Sequence, residues 1–261
     1  MAEPSTIPLL KAENVSKSFG GIHAVQEVSF EVRAGQIKGI IGPNGAGKTT
    51  LFNLITGFYP ADHGAIYFKD HKLNGLGPHQ VAELGIARTF QNVELFDQMT
   101  VLENIMVGRH PRSSAGFIGA ALRLSRHRRE ERRIRQEALK MLEFVGLAER
   151  AHSPSSALPF GLQRLLEIGR ALATDPLLLL LDEPASGLNA GETRELGRLI
   201  CRIRDRGITV VLVEHDMSLT MEVCHEILVM DYGRTLAEGS PREIQENPAV
   251  IAAYLGEEPF A

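Results

Sequence analysis

The segment Gln36–Thr50 reads QIKGIIGPNGAGKTT, and it decides the fold class of this chain of 261 residues. Its apolar first part, Gln36–Ile41, predicts a buried strand that runs directly into a glycine-rich loop. The loop, Gly42–Thr49, satisfies the spacing G-x-x-x-x-G-K-S/T, and Thr49–Thr56 has the apolar spacing of a helix. A strand, a loop of this type and a helix in this order predict an α/β fold.

The loop has the chemistry of a phosphate site. A triphosphate needs several converging backbone N–H donors, and glycine allows the dihedrals and the close approach that they require. The next helix offers its positive end, Lys48 a point charge for the outer phosphates, and Thr49 a hydroxyl for Mg²⁺. A glycine-rich turn with an accidental lysine is the alternative, and the strand before and helix after argue against it. The predicted nucleotide-binding residues of this loop are Gly42, Pro43, Asn44, Gly45, Ala46, Gly47, Lys48, Thr49 and Thr50.

Acidic and imidazole side chains follow two further predicted strands. Leu177–Leu181 is continuously apolar and ends at Asp182 and Glu183, and Thr209–Val213 has the same layout just before His215. Ligands of open α/β sheets bind outside the carboxyl ends of the strands. We therefore expect Asp182 to hold Mg²⁺ through water and Glu183 to accept a proton from an attacking water. An imidazole at His215 could sense the γ-phosphate, but a histidine in this setting is more often a capping or packing residue. The alternative for the two carboxylates is a solvated acidic turn.

The pattern of strands and helices divides the chain. Residues 1–99 and 173–240 are predicted to form an α/β nucleotide-binding core, with a mixed or parallel sheet flanked by helices and an antiparallel β part at the N-terminus. Between them, residues 100–172 lose the strand pattern and are predicted to be an inserted α-helical subdomain, which contains a basic insertion at 111–133. Residues 241–261 are predicted to be a C-terminal helical tail.

Composition excludes several classes of protein. The net charge of −4 gives no bulk attraction to nucleic acid or anionic lipid. Met1–Leu10 lacks the apolar run of a signal peptide, and the longest strongly apolar stretches are too short to span a bilayer. Cys201 and Cys224 have neither metal-ligand spacing nor the number for a disulfide framework, which favours a reducing compartment.

With these motifs in order, nearly the whole chain resembles the nucleotide-binding subunits of ATP-binding cassette (ABC) transporters. The resemblance implies an ABC-type P-loop core, an ATPase activity, and ATP and Mg²⁺ as cofactors. It implies that Phe19 stacks on adenine and that residues 185–189 form the loop that follows the catalytic strand. The catalytic residues that it implies are Glu183, His215, Gln91 and Lys48, and the metal ligands are Thr49, Gln91 and Asp182. The signature segment consists of Leu158, Pro159, Phe160, Gly161 and Leu162.

One branch of the family fits best. The insertion at 111–133, the sequence around His215 and the tail at 247–257 are similar to the first ATPase subunit of branched-chain amino acid importers. ATPases of urea uptake and lipopolysaccharide export share the tail type. The resemblance implies a second ABC ATPase subunit, with a heterodimer favoured over a homodimer, two transmembrane permease subunits and an external solute-binding protein. It places the chain on the cytoplasmic face of the inner membrane, away from nucleic acid.

Two other functions fit the sequence less well. Soluble ABC ATPases of DNA repair or translation carry a long coiled coil or two cassettes, and this chain has one phosphate loop. A regulatory module without turnover has no use for Glu183 and His215 in their catalytic positions. Both features favour a transport ATPase.

The signature segment departs from the family. The family sequence is Leu-Ser-Gly-Gly-Gln, whereas this chain has Pro159 at the second position and Leu162 at the fifth. Pro159 removes a hydroxyl and a backbone donor but is compatible with a helix start, and Gly161 and the helix dipole remain. In the family, each ATP lies between one subunit's phosphate loop and the other's signature. We therefore expect slow hydrolysis at the site that this segment completes.

The basic insertion has two interpretations. Arg123–Arg135 contains seven arginines, interrupted by Glu130 and Glu131. The first interpretation is a solvated helix face with intrahelical ion pairs. The second is a surface near anionic lipid headgroups or the cytoplasmic loops of a permease.

Overall fold

A computed structural model describes residues 8–91, 93–109, 125–215 and 217–255, and most of the basic insertion lies outside them. The chain forms two compact units. The core unit is drawn from Met1–Arg88, Leu177–Ala185 and Thr193–Ala261, and the helical unit from Thr89–Pro176 and Ser186–Glu192.

The strands and helices alternate along most of the chain. The strands are β1 (Leu10–Phe19), β2 (Ile22–Val32), β3 (Ile37–Ile41), β4 (His63–Phe68), β5 (His71–Lys72), β6 (Ile86–Arg88), β7 (Leu178–Asp182), β8 (Thr209–Val213), β9 (Glu226–Asp231) and β10 (Arg234–Gly239). The helices are α1 (Lys48–Ile55), α2 (Pro78–Glu83), α3 (Val101–Arg109), α4 (Ser125–Val145), α5 (Phe160–Leu172), α6 (Ala190–Asp205), α7 (Met217–Val223), α8 (Pro241–Glu246) and α9 (Pro248–Leu255). Among the described residues, none of the helices has both the length and the apolar character needed to cross a bilayer.

The core unit contains two sheets. The first has four antiparallel strands in the order β2-β1-β4-β5, and the second has six in the order β10-β9-β3-β8-β7-β6. In the second sheet only β10 is antiparallel to its neighbour. The expected α/β fold with an antiparallel N-terminal part is therefore confirmed.

The central strands of the second sheet are buried along their whole length. Every residue of β3, β7 and β8 is buried, which is the environment that continuous apolar runs require. Val213 pairs with Ile40 of β3 and with Asp182 of β7. This register brings the carboxyl ends of the three strands to one edge of the sheet, where α/β proteins bind their ligands.

One hydrophobic cluster joins both sheets to the first helix. It contains Leu10 and Phe30 from the first sheet, Phe52 from α1, and Val211 and Leu228 from the second sheet. Burial of such side chains contributes roughly 1.5–3 kcal/mol each. The cluster therefore holds α1 firmly behind the loop that precedes it.

The helical unit is formed by α3, α4 and α5. The apolar stripe of α4 packs through Ala138, Leu142 and Val145, which are buried, whereas Ile134 and Met141 are only partly covered. Among the described side chains before Ala138, Arg129 and Glu131 are exposed. Arg132, Arg133 and Arg135 are among the exposed residues there.

Candidate functional site

Two glycines of the loop between β3 and α1 are required by the geometry. Gly42 has a φ of +152°, and a Cβ there would lie 2.0 Å from the carbonyl oxygen of Met230. Gly47 has a φ of +97°, and its Cβ would lie 2.2 Å from the carbonyl oxygen of Ala24. Any other residue would clash with backbone at both positions, so the loop can close around an anion only with glycine here.

The ammonium group of Lys48 lies over this loop. Its Nζ donates to the carbonyl oxygens of Gly42, at 2.6 Å, and Pro43, at 2.9 Å, and the residue is only 6% exposed. These contacts hold the positive charge at the mouth of the loop before any ligand arrives. The helix α1 starts at the same residue and has no acidic side chain in its first turn. No carboxylate of that turn therefore weakens the positive electrostatic potential at the N-terminus of the helix.

Asp182 ends β7 in a buried ion pair. Its Oδ2 accepts a hydrogen bond from Nη2 of Arg88 at 2.7 Å, and both side chains are nearly inaccessible. Arg88 also donates to Oδ1 of Asn53, at 2.7 Å, and to Oγ1 of Thr56, at 3.2 Å. The strand carrying Asp182 is thereby tied to the helix that follows the phosphate loop. Nothing in the local sequence around Arg88 signals this role.

Glu183 and His215 face each other one strand apart. Oε2 of Glu183 lies 3.7 Å from Nδ1 of His215. The Glu183 carboxylate is mostly covered, whereas the imidazole is 57% exposed. Glu183 has a φ of +46° and its N–H donates to the carbonyl oxygen of Val213 at 2.9 Å. This unusual conformation, stabilised by the hydrogen bond, turns the chain sharply after the strand and is typical of functional positions.

A buried carboxylate, that of Glu214, binds the backbone next to this pair. Glu214 is fully buried, and its Oε1 accepts the N–H of Ala185 at 2.7 Å. Its Oε2 accepts the N–H of His215 at 3.2 Å. Glu214 thus fixes the backbone at Ala185 and at His215, a role that its local sequence does not predict.

Phe19 ends β1 at the tip of the hairpin with β2, in the core unit. Its ring is 41% exposed. The ring of Tyr59 meets it edge-on, with centroids 5.1 Å apart and an interplanar angle of 72°. A solvent-exposed aromatic ring of this kind is available for stacking on a ligand.

Gln91 belongs to the helical unit and is exposed. Its carbonyl oxygen accepts a hydrogen bond from Nη2 of Arg164 at 2.6 Å, and that of Phe90 accepts one from Nη1 at 2.9 Å. The N–H of Phe90 donates to Oε1 of Glu167 at 3.0 Å. Burial raises the pKa of Glu167, against the opposing effects of Phe90 and Arg164. The helix α5 therefore holds the backbone at Gln91 through two buried charged side chains.

The segment Leu158–Leu162 starts the same helix. Pro159 is its N-cap, without a side-chain hydrogen bond, and its carbonyl oxygen accepts the N–H groups of Leu162 and Gln163 at 2.9 and 3.0 Å. The ring of Phe160 is 45% exposed, and the guanidinium carbon of Arg164 lies 5.5 Å from its centroid. The expectation that Pro159 permits a helix start is confirmed.

The predicted site residues thus fall into two groups. The core unit brings the phosphate loop, Asp182, Glu183 and His215 to the ends of neighbouring strands, and Phe19 belongs to the same unit. Gln91 and Leu158–Leu162 belong to the helical unit.

The donors present suit a magnesium ion that is shared with a ligand. Among the residues that the structure describes, no group of three His, Cys, Asp or Glu side chains is arranged to hold a metal. What the site offers is the exposed hydroxyl of Thr49 and the carboxylate of Asp182, which Arg88 holds at the strand end. Mg²⁺ commonly takes one or two protein oxygens and completes its shell with water and phosphate oxygens. The residues fit Mg²⁺ bound together with a nucleotide.

Two family models match the chain. The model described as "ABC transporter" matches residues 25–186, and that described as "Branched-chain amino acid ATP-binding cassette transporter" matches residues 234–259. The first covers the phosphate loop, the part of the helical unit from Thr89 to Pro176 and the acidic strand end. The second covers β10 and the two C-terminal helices.

Similar proteins are known over nearly the full length. The high-affinity branched-chain amino acid transport ATP-binding protein LivG of Salmonella typhimurium is 46% identical over 96% of this chain and 98% of its own. The corresponding protein BraF of Pseudomonas aeruginosa is 44% identical over the same shares. Among solved structures, the ADP conformation of MJ1267, an ATP-binding cassette of an ABC transporter, has a TM-score of 0.85 and 34% identity, and covers 97% of this chain and 100% of its own.

Proposed function

This chain belongs to the ABC transporter family, and on that premise we propose that it is the ATP-hydrolysing subunit of an importer of branched-chain amino acids. The observation that carries the proposal is the meeting of three strand ends at one sheet edge. They present the phosphate loop, Glu183 and His215 side by side. The amino acids themselves pass through a separate permease, so this chain supplies energy and does not contact them.

The triphosphate binds at the loop between β3 and α1. Its oxygens accept the backbone N–H groups of the loop and of the first turn of α1. Lys48, already held at the loop by Gly42 and Pro43, moves its charge onto the outer phosphates. Phe19 stacks on the adenine ring, for which its exposed face is suited.

Mg²⁺ neutralises charge on the phosphate oxygens when it is bound with ATP. Thr49 would hold it through its hydroxyl, and Asp182 through water. Gln91 is proposed as a further ligand. Arg88 keeps the Asp182 carboxylate oriented at the strand end.

Glu183 is proposed as the general base. It accepts a proton from the water that attacks the γ-phosphate, a step that typically contributes 10²–10⁴-fold to a rate. His215, within 4 Å of that carboxylate, is proposed to contact the γ-phosphate and so to distinguish ATP from ADP. Glu214 holds the backbone N–H groups of Ala185, which lies two positions after Glu183, and of His215.

We propose a heterodimer with a second ABC ATPase subunit that carries a full signature. Each ATP then lies between the phosphate loop of one subunit and the signature of the other. Pro159 provides no hydroxyl and no N–H, so the site completed by Leu158–Leu162 binds ATP but turns it over slowly. The phosphate loop, Glu183 and His215 of this chain serve the faster site. A homodimer would contain two weakened sites.

The asymmetry has a direct test in the assembled transporter. Replacing Pro159 by serine and Leu162 by glutamine is expected to raise turnover at the slow site, which combines this chain's signature segment with the phosphate loop of the partner subunit. That site is isolated by substituting the general base Glu183. No increase in the remaining turnover would count against the asymmetry.

The remaining partners follow from the same proposal. Two transmembrane permease subunits bind the ATPase pair on the cytoplasmic face of the inner membrane, and a solute-binding protein delivers the amino acid from outside. Gln91 lies in the helical unit, where it can report nucleotide binding to the permease. Nucleic acid has no part in this cycle.

Transport by reconstituted vesicles tests the whole proposal. The chain is copurified with its membrane subunits, and uptake of labelled leucine, urea and a lipid export substrate is compared. ATP-dependent leucine uptake that disappears in Lys48→Ala is the expected result. Uptake of urea alone, or export of lipid alone, would instead support the related transporters that share the tail type. Copurification with no membrane protein at all would contradict a role in transport.

A further inference from the structure

The base-binding end of the site is held by residues that no motif marks. Phe19 closes β1, pairs in register with Ile22 of β2, and is followed by the glycines of a tight turn. A ring that is 41% exposed at a hairpin tip has little core packing to fix its orientation. Its orientation must therefore come from its immediate neighbours.

Tyr59 is the first of these neighbours. Its ring meets the Phe19 ring edge-on, at 5.1 Å between centroids and 72° between planes. This is the geometry in which the positive edge of one aromatic ring meets the negative face of another. Such a contact restricts the rotation of Phe19 and leaves it partly exposed.

The backbone of Tyr59 is attached to the helix of the phosphate loop. The N–H groups of Phe58 and Tyr59 donate to the carbonyl oxygen of Asn53, at 2.9 and 3.2 Å. Asn53 lies in α1, which begins at Lys48. One short helix therefore connects the residue that contacts the phosphates to the residue that orients Phe19, and the distance between them is fixed.

Lys17 and Asp62 also hold the hairpin. The Lys17 ammonium lies 5.4 Å from the centroid of the Phe19 ring and 2.7 Å from Oδ1 of Asp62. Oδ2 of Asp62 accepts the N–H of Ser18 at 2.8 Å, and the N–H of Asp62 donates to the carbonyl oxygen of Ser16 at 2.9 Å. A cation over one face of a phenyl ring polarises the ring, which favours stacking of an electron-rich purine on the opposite face.

From these contacts we infer that Tyr59 is a positioning residue for the base of the nucleotide, acting through Phe19. The inference rests on the proposed function, in which Phe19 stacks on adenine. A ring that is already oriented loses less freedom when the base arrives, so binding is tighter. Removing the Tyr59 ring is expected to weaken ATP binding by about three- to tenfold and to leave phosphate binding unchanged.

A purely structural role for Tyr59 is the competing explanation. Tyr59 also lines a cavity of about 210 Å³, together with Leu54, Ile66, Leu73 and Leu76. If it served only to cover this apolar cavity, its loss would destabilise the fold and affect all ligands equally. The two roles differ in whether the effect depends on the presence of a base.

The experiment measures two ligands on the full chain. Calorimetry gives the Kd of ATP and of inorganic tripolyphosphate, both with Mg²⁺, for Tyr59→Leu, Tyr59→Phe, Phe19→Ala and the double variant Phe19→Ala/Tyr59→Leu. The matched control is Tyr67→Leu, which removes a tyrosine ring from β4, the strand that pairs with the strand of Phe19. Thermal unfolding of each variant shows whether it folds.

The expected result is selective for the base. Tyr59→Leu and Phe19→Ala weaken ATP binding with tripolyphosphate unchanged, Tyr59→Phe retains wild-type affinity, and Tyr59→Leu adds nothing in the Phe19→Ala background. The inference is overturned if Phe19→Ala weakens ATP binding and Tyr59→Leu does not, or if Tyr59→Leu weakens both ligands equally. Absence of ATP binding by the wild-type chain would sink the proposed function itself, which separates the two failures.

Discussion

In the core unit, Oε2 of Glu183 lies 3.7 Å from Nδ1 of His215, across the ends of two neighbouring parallel strands. The two residues are 32 positions apart in the chain, and only the register of β7 against β8 brings them together. The carboxylate is mostly covered and the imidazole is open to solvent. A shielded carboxylate next to an accessible imidazole suits the roles proposed for Glu183 as general base and for His215 as a sensor of the γ-phosphate.

Replacing the proposed base should separate binding from turnover. We expect Glu183→Gln to lower ATPase activity of the assembled transporter by about 10²–10⁴-fold, because the amide cannot accept the proton. ATP binding should persist, since the phosphate loop is untouched. Steady-state hydrolysis and nucleotide trapping measure the two quantities. The control is Glu195→Gln, at an exposed position of α6. Unchanged turnover in Glu183→Gln would exclude this residue as the base.

The buried carboxylate of Glu214 should be sensitive to an isosteric change. In Glu214→Gln, one of the two N–H donors, from Ala185 or His215, would meet an amide NH₂ group instead of an oxygen. We expect a loss of roughly 1–3 kcal/mol in the free energy of unfolding, and slower hydrolysis because both backbone segments shift. Chemical denaturation and ATPase assays test this. Wild-type stability would show that these hydrogen bonds contribute little.

The buried ion pair between Arg88 and Asp182 should contribute to the free energy of unfolding of the nucleotide-free protein. Arg88→Met keeps most of the apolar stem but removes the guanidinium beside a nearly inaccessible carboxylate. Breaking such a pair from one side typically costs about 3–5 kcal/mol. In the Asp182→Asn background the same change should cost clearly less. Equal costs in both backgrounds, measured by denaturant unfolding, would mean that the pair is not coupled.

Arg164 should be essential for the position of Gln91. Its guanidinium holds the carbonyl oxygens of Phe90 and Gln91, and it is almost fully buried beside Glu167. Arg164→Lys keeps the charge but cannot reproduce the forked geometry. We expect a tenfold or larger fall in ATPase activity of the assembled transporter, with ATP affinity changed less. Arg198→Lys, at an exposed position, is the control. Hydrolysis at the wild-type rate would show that the fork is dispensable.

The two cysteines should differ strongly in reactivity. Burial, together with the neighbouring Cys201, raises the pKa of the Cys224 thiol from 9.0 to about 12. At pH 8 its thiolate fraction is roughly a thousandfold below that of an unperturbed thiol. Iodoacetamide should therefore label the partly exposed Cys201 first, and Cys224 only after denaturation. Mass spectrometry of the labelled peptides measures this. Equal labelling of both in the native protein would contradict it.

Much of the fold could be predicted because its central strands carry an unmistakable pattern. The continuous apolar runs at β3, β7 and β8 can be satisfied only in a sheet that is covered on both faces. By contrast, β6 has three residues and β10 is polar and lies at the sheet edge, so neither has a periodic signal. Short and edge strands are defined by their partners, and their partners are distant in sequence.

The candidate site divides in the same way. The phosphate-binding role of the loop from Gly42 to Thr49 could be predicted from the sequence, because its glycines and its lysine have the motif spacing within eight consecutive positions. No motif assigns a role to Arg88, Glu214 or Tyr59, and each is a common residue type in an ordinary local setting. Their roles depend on burial and on contacts with residues that are far away along the chain.

The sequence alone determined which segments bury their side chains and where a triphosphate can be held, because both depend on interactions between neighbours in the chain. The tertiary structure decided which polar groups face each other: Arg88 with Asp182, Glu183 with His215, and Arg164 with the backbone at Gln91. These pairings follow from strand order and helix packing. Both are set by the hydrophobic core of the whole unit and cannot be predicted from any short stretch of sequence.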